Sequence, residues 1–268
     1  MYKIVGHRGL PEYYPENSLL GMLGAVAAGA DALELDVQFS KDGVPFLCHD
    51  GTLERVAGVS KYIWNVSSED LVTISCGERS RFGDRYQAET FCSLERLSAA
   101  LSHFQGEIFI EVKAESFAVF DRKFCLEQVL KASQLIHCQR RIISFDDELV
   151  RLAAATDLAV GLVVKAINSE VIALLASLLR SPKQNGVDSY LAFPKAALMT
   201  SPTEPEATRF DGKLASDETR GLIKSALDQS LSLFVYDITD PHEARELHRL
   251  GISYIESWNA YALLQPTS

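Results

Sequence analysis

The chain has 268 residues, 47% hydrophobic and 23% charged, a size and balance that suit one large α/β domain. Its 26 basic against 36 acidic residues leave a net charge of −10, which argues against nonspecific nucleic-acid binding and against docking to anionic membrane through surface charge. Five scattered cysteines without a Cys-x-x-Cys pair, a first strand opening at Tyr2, and no apolar run near the roughly 18 residues of a membrane span give the expectation of a cytoplasmic protein, without signal peptide or stable membrane insertion.

Short β-type runs alternate with helical stretches along the whole chain. Strands are expected at residues 2–6, 31–37, 107–112, 141–145, 158–164, 187–192, 231–236 and 252–255. Helices are expected at 18–28, 94–103, 121–136, 146–155, 168–180, 216–229 and 240–249. Ser18 and Ser93 are N-cap residues, Asp240-Pro241 opens the last helix with proline in its first turn, and Gly251 suits a left-handed cap after it. Asp42-Gly43 is a hairpin signal; if Ser40 faces Val44, the register returns Cys48 and His49 alongside Leu35 and Asp36. The 44–93 stretch is then an excursion after strand 2, with 51–93 as an inserted subdomain, and polar 200–216 is a surface loop. The alternation predicts an α/β fold, a (β/α)8 TIM barrel with a small insertion between strand 2 and helix 2, over residues 1–268 as a single domain. An open doubly wound sheet is the competitor, weakened because no Gly-x-Gly-x-x-Gly follows any strand.

The chemistry concentrates in the first fifty residues. Glu34 and Asp36, two apart on a strand, project two carboxylates to one face. Like charges that close repel unless a cation lies between them, and hard divalent cations prefer such oxygen ligands. His7 and His49 offer proton transfer near neutral pH, and Arg8 offers a cation for an anion. In a barrel these residues, with Glu111, Lys113, Ser144, Phe145, Lys165 and Tyr236, fall at the mouth formed by strand C-terminal ends.

His7-Arg8-Gly9, Pro15-Glu16-Asn17-Ser18, Glu34-Leu35-Asp36-Val37, Lys41-Asp42-Gly43-Val44-Pro45, His49-Asp50, Glu111-Val112-Lys113 and Ser144-Phe145-Asp146 follow in this order, with Thr52-Leu53-Glu54-Arg55 and Ser93-Leu94-Glu95 between. Together they resemble the glycerophosphodiester phosphodiesterase family, densely from residue 4 to about 150 and loosely beyond. The resemblance implies a TIM barrel and hydrolysis of glycerophosphodiesters to glycerol 3-phosphate and an alcohol. It also implies Mg²⁺ or Ca²⁺ on Glu34, Asp36 and Glu111, His7 and His49 as acid and base, and Arg8 and Lys113 facing the phosphate of a small-molecule substrate. Either water or a neighbouring substrate hydroxyl, giving a cyclic diester, is compatible as nucleophile.

The C-terminal third departs from the family pattern. Val235-Tyr236-Asp237-Ile238-Thr239 stands where Val-Trp-Thr-Val-Asn is usual, and Glu256-Ser257-Trp258 where a Thr-Asp is usual. These changes direct attention to Tyr236, Asp237 and Glu256 as residues that tune the alcohol, Tyr236 by stacking a choline-like cation or simply by packing. Asp50 is expected to orient or turn, Glu16 and Asn17 to touch the site from the strand 1 loop or Asn17-Ser18 merely to cap a helix, and Ser144 to pack; Lys165 and Lys195 are candidates of the kind that is usually solvated. Phe39, Phe145 and Trp258 are expected to pack in the barrel or a lid. Val56, Val59, Tyr62, Ile63 and Trp64 form either an apolar rim or the insertion's own core. A rim would favour a lysophospholipase D-like activity on lysophospholipids. A non-catalytic phosphodiester-binding barrel would be expected to lack a histidine or metal carboxylate, and none is missing.

Overall fold

The computed structural model describes residues 2–178, 189–198 and 217–264. Among the described residues, nine strands follow in chain order: β1 (Lys3–Gly6), β2 (Ala32–Phe39), β3 (Pro45–Leu47), β4 (Glu107–Val112), β5 (Gln139–Ser144), β6 (Ala159–Val163), β7 (Ser189–Pro194), β8 (Leu231–Tyr236) and β9 (Tyr254–Ser257). All but β3 run parallel, and β1 pairs with both β2 and β9, which closes an eight-stranded barrel. The outer helices are α1 (Leu19–Ala28), α2 (Leu94–Ala100), α3 (Arg122–Ala132), α4 (Asp147–Ala153), α5 (Ser169–Leu178), α6 (Asp217–Asp228), α7 (Pro241–Arg249) and α8 (Ala260–Leu264). None is long and apolar enough to cross a membrane among the described residues.

Every residue of β2 is buried, as a parallel strand covered on both faces requires. Leu33, Leu35 and Val37 pack outward into the layer shared with the helices, while Ala32 joins the barrel interior with Val5, Phe109, Tyr190, Phe234 and Tyr254. The alternation therefore sends Glu34 and Asp36 inward above an aromatic filling. Serine and aspartate caps start the helices as expected: Ser18 accepts from the Gly21 N–H, Ser93 from Arg96 and Asp240 from His242.

The hairpin arm has the expected register. Val37, Gln38 and Phe39 face Leu47, Phe46 and Pro45, and the Cys48 N–H donates to the Asp36 carbonyl at 3.0 Å. Gly43 turns the chain at φ 78°. Beyond the arm, short helices at Glu54–Ala57, Ser68–Leu71 and Arg79–Phe82 pack around Phe46, Leu53, Ile63, Leu71 and Phe91, a cluster separate from the barrel core.

Element ends differ from the sequence reading at several places, two strands and one helix among them. β5 begins at Gln139 rather than 141, because Arg141 points into the barrel to Glu107 and a polar strand start is satisfied there. The last strand runs over Tyr254–Ser257, later than 252–255. The five-residue α8 is an addition to the expected helices, too short to show a period in the sequence. Residues 200–216 lie outside the described residues.

Candidate active site

The strand ends carry His7, Arg8, Glu34, Asp36, His49, Glu111, Lys113 and Tyr236 into one cleft of about 120 Å³. Asp36 is its most heavily held carboxylate. Oδ2 accepts from Asn17 Nδ2 at 2.9 Å and lies 3.1 Å from Arg8 Nε, while Oδ1 lies 3.3 Å from Lys113 Nζ. Asn17 returns the contact, accepting the Asp36 N–H at 3.1 Å, so it clasps the site while Ser18 caps α1. Burial pulls Asp36 upward, but Lys113, Arg8 and His49 outweigh it and hold the carboxyl well below the usual carboxylate range.

Glu34 and Glu111 are the opposite case. Burial and the charges of Asp36 and Glu111 drive Glu34 well above its ordinary value, despite the Arg8 N–H donated to its Oε2 at 3.1 Å. Burial and Asp36 push Glu111 up to about 7, although Lys113 Nζ lies 2.7 Å from its Oε1. One oxygen from each of Glu34, Asp36 and Glu111 lies within 4.8 Å of the others. Two oxygens bound at about 2.4 Å to one cation can be at most about 4.8 Å apart, so the three suit a hard divalent ion. Buried, crowded and short of positive charge, this donor set fits such an ion.

The two histidines are held differently. His49 is half-buried, its Nδ1 2.6 Å from Asp50 Oδ1. Arg55 donates from Nε to Asp50 Oδ2 at 2.6 Å and from both terminal nitrogens to Glu16 at 2.7 Å each. Buried Glu16 also accepts from Arg8 Nη1 at 3.2 Å, and its backbone N–H donates to Glu78 in the insertion. His7 is 9% exposed, with Nδ1 3.3 Å from Asp237 Oδ1 and its ring edge-on to Trp258. Burial lowers its pKa against the opposing pull of Asp237, leaving it neutral at pH 7. Arg8, Asn17 and Asp237 all take positive φ (54°, 51° and 69°), strain of the kind that collects at functional sites. Gly9 is required beside them, because at φ 93° an added Cβ would meet the Gly21 backbone at 2.7 Å.

Residues 7–255 match the model of the glycerophosphoryl diester phosphodiesterase family. The chain belongs to this family. It is similar to glycerophosphodiester phosphodiesterase 1 of Bos taurus, 26% identical over 57% of this chain and 45% of that protein. A glycerophosphodiester phosphodiesterase of Caldanaerobacter subterraneus subsp. tengcongensis is 28% identical over 41% of this chain and 45% of its own length. The chain thus spans less than half the length of these curated relatives. Among solved structures, a phosphodiesterase from Oleispira antarctica in complex with the product sn-glycerol-3-phosphate has a TM-score of 0.79 at 20% identity, covering 97% of this chain and 94% of that one. A glycerophosphodiester phosphodiesterase from Agrobacterium tumefaciens has a TM-score of 0.69 at 23% identity, covering 98% and 99%.

This member of the glycerophosphodiester phosphodiesterase family keeps some expected residues away from the cleft. Lys165 does not line the cleft, Lys195 pairs with Glu243 at 2.7 Å rather than being free in solvent, and Ser144 packs as expected, its hydroxyl donating to the Val112 carbonyl. Phe145 lines it at 41% exposure rather than packing inward. His7, expected at the barrel mouth, is buried there, with Trp258 edge-on to its ring and Asp237 beside Nδ1. Glu256 lies deeper than a rim residue, 3% exposed and with Oε1 unpartnered. The Arg55 clamp is not legible in the Thr52-Leu53-Glu54-Arg55 motif, because nothing local says that its arginine reaches Glu16, 39 positions away.

Proposed function

We propose that the chain hydrolyses glycerophosphodiesters to glycerol 3-phosphate and an alcohol, as a single barrel with 51–93 as an inserted subdomain. Glu34, Asp36 and Glu111 would hold a divalent cation, Mg²⁺ or Ca²⁺. The observation that carries this reading is the convergence of that carboxylate triad, two histidines with orienting carboxylates, and the cations Arg8 and Lys113 in one cleft. The product sn-glycerol-3-phosphate in the Oleispira antarctica neighbour supports the substrate class.

When bound, the cation would draw charge from a phosphoryl oxygen as attack develops. Arg8 and Lys113, already held among carboxylates, present positive charge to the phosphate. His7, neutral by burial, is ready to accept a proton, and Asp237 beside Nδ1 steadies the imidazolium that results. Asp50 fixes the ring of His49 so that its other nitrogen serves the cleft as the second proton-transfer group. Tyr236, half-buried with its hydroxyl 3.4 Å from the Val164 carbonyl, and exposed Asp237 line the side on which we place selection of the alcohol.

The insertion favours a small diester over a lysophospholipid. Val56 and Ile63 are buried in its own cluster with Val59 and Trp64 against it, leaving Tyr62, stacked on Trp64, as the exposed apolar residue of that set. Purified protein incubated with a panel of glycerophosphodiesters and lysophospholipids, with Mg²⁺, Ca²⁺ or EDTA, tests the reading. Glycerol 3-phosphate release from the former is expected; turnover of lysophospholipids alone would replace it.

A further inference from the structure

Glu256, His7 and Glu34 come from consecutive strand ends. Val5 faces Glu256 across β1 and β9, the His7 N–H donates to the Ser257 carbonyl at 3.1 Å, and Gly6 faces Leu33 across β1 and β2. A ring nitrogen of His7 and one oxygen from each carboxylate lie within 4.8 Å of one another, and all three side chains are buried. This group shares Glu34 with the Glu34–Asp36–Glu111 triad but is otherwise separate from it.

Two of its three members have buried atoms left over. Glu256 is 3% exposed, lines the cleft, and its Oε1 has no hydrogen-bond partner. His7 Nδ1, although 3.3 Å from Asp237, is outside hydrogen-bond geometry. Arg8 and Lys113 are committed to Asp36, Glu16 and Glu111, so neither covers Glu256 with an ion pair. A cation on the triad would satisfy Glu34 and leave Glu256 as it is.

We propose that His7, Glu34 and Glu256 form a second divalent-cation position, bridged to the first through Glu34, whose filling withdraws His7 from proton transfer. The donors set its preference. The triad offers oxygens alone and suits Mg²⁺ or Ca²⁺, whereas an imidazole with two carboxylates suits a borderline ion such as Mn²⁺ or Zn²⁺. A bridging carboxylate is the usual means of holding two ions about 3.5–4 Å apart. An imidazole whose lone pair is given to a metal cannot also accept a proton. Zn²⁺ therefore inhibits where Mg²⁺ activates. That consequence rests on the proposed role of His7 in hydrolysis; the binding itself does not.

The full chain, stripped with chelator and dialysed against Mn²⁺ alone, measures the position without reference to activity. Wild type is expected to hold two Mn²⁺ per chain with spin coupling between them in the paramagnetic resonance spectrum. Glu256→Gln is expected to hold one, without coupling, and His7→Asn likewise, each with a cooperative melt showing that it is folded. In the hydrolysis assay, Glu256→Gln should need at least tenfold more Zn²⁺ for half-inhibition than wild type. One Mn²⁺ in wild type, or two coupled ions in folded Glu256→Gln, overturns the proposal. Two coupled ions in a protein that hydrolyses no diester uphold the cation position and overturn the proposed function instead.

Discussion

Glu107 at the bottom of the barrel and Glu256 at the top are both carboxylates at strand positions inside it, 6% and 3% exposed, but their surroundings differ. Glu107 accepts from Arg141 at 2.9 and 2.7 Å and from the Tyr254 hydroxyl at 2.9 Å, and it pairs with Lys3. The Arg141 guanidinium lies 4.4 Å from the Tyr190 ring centroid. At the mouth, Glu34, Asp36, Glu111 and Glu256 stand together, the side chains of Arg8 and Lys113 pair with Asp36, Glu16 and Glu111, and Glu256 Oε1 is left unpartnered. The bottom is a completed ion network that closes the barrel. The top is an incomplete one, which the proposed cation and anionic substrate would complete.

The largest effect should come from breaking the completed end. Glu107→Gln leaves Arg141 buried without its carboxylate, and losing one partner of a buried pair costs about 3–5 kcal/mol. Chemical denaturation should show that loss, whereas a change below about 1 kcal/mol would mean that the network adds little. Its pH signature follows from the shift. Burial raises the Glu107 pKa, but Lys3 and Arg141 outweigh it and hold it below the usual value. The contribution is therefore present above the ordinary glutamate pKa and is lost as pH falls through the lowered one.

Next comes the incomplete end. His7→Ala and His49→Ala should each lower kcat by about a hundredfold or more with a native melt, the scale of a general acid or base. Near-normal turnover in either variant would remove that residue from proton transfer. Arg55→Ala should lower kcat about tenfold with little change in KM, because Arg55 positions His49 through Asp50 without entering the cleft. An equal rise in KM would show that it shapes substrate binding instead.

The smallest effect has the opposite sign to the first. Burial, then Glu34 and Asp237, raise the Glu256 pKa well above its ordinary value, so metal-free protein binds extra protons above pH 4.5 and loses stability as pH rises through that window. Glu256→Gln should stabilise the metal-free chain by about 1 kcal/mol at pH 8 and flatten this decline. Thermal melts of both proteins between pH 5 and 8 check it; a variant less stable than wild type at pH 8 would mean that the charge is compensated.

Much of the mouth was legible because it rests on short-range rules. Glu34 and Asp36 had to share a face, and Asp42-Gly43 placed Cys48 beside Asp36 without a residue of error. Polar residues with distant partners were harder. In sequence Arg141 looks like the edge of a strand and Arg55 like part of a motif, because Glu107 and Glu16 meet them only after the chain folds. Glu256 stood out as a departure, but its depth depends on how β9 seats between β8 and β1.

Glycerophosphocholine hydrolysis followed by ³¹P resonance bears most directly on the claim that the mouth works with a divalent cation. Dialysis against EDTA should abolish the appearance of glycerol 3-phosphate, Mg²⁺ or Ca²⁺ should restore it, and Glu34→Gln should not recover with either ion. Undiminished turnover after exhaustive chelation, or full activity in Glu34→Gln, would contradict it.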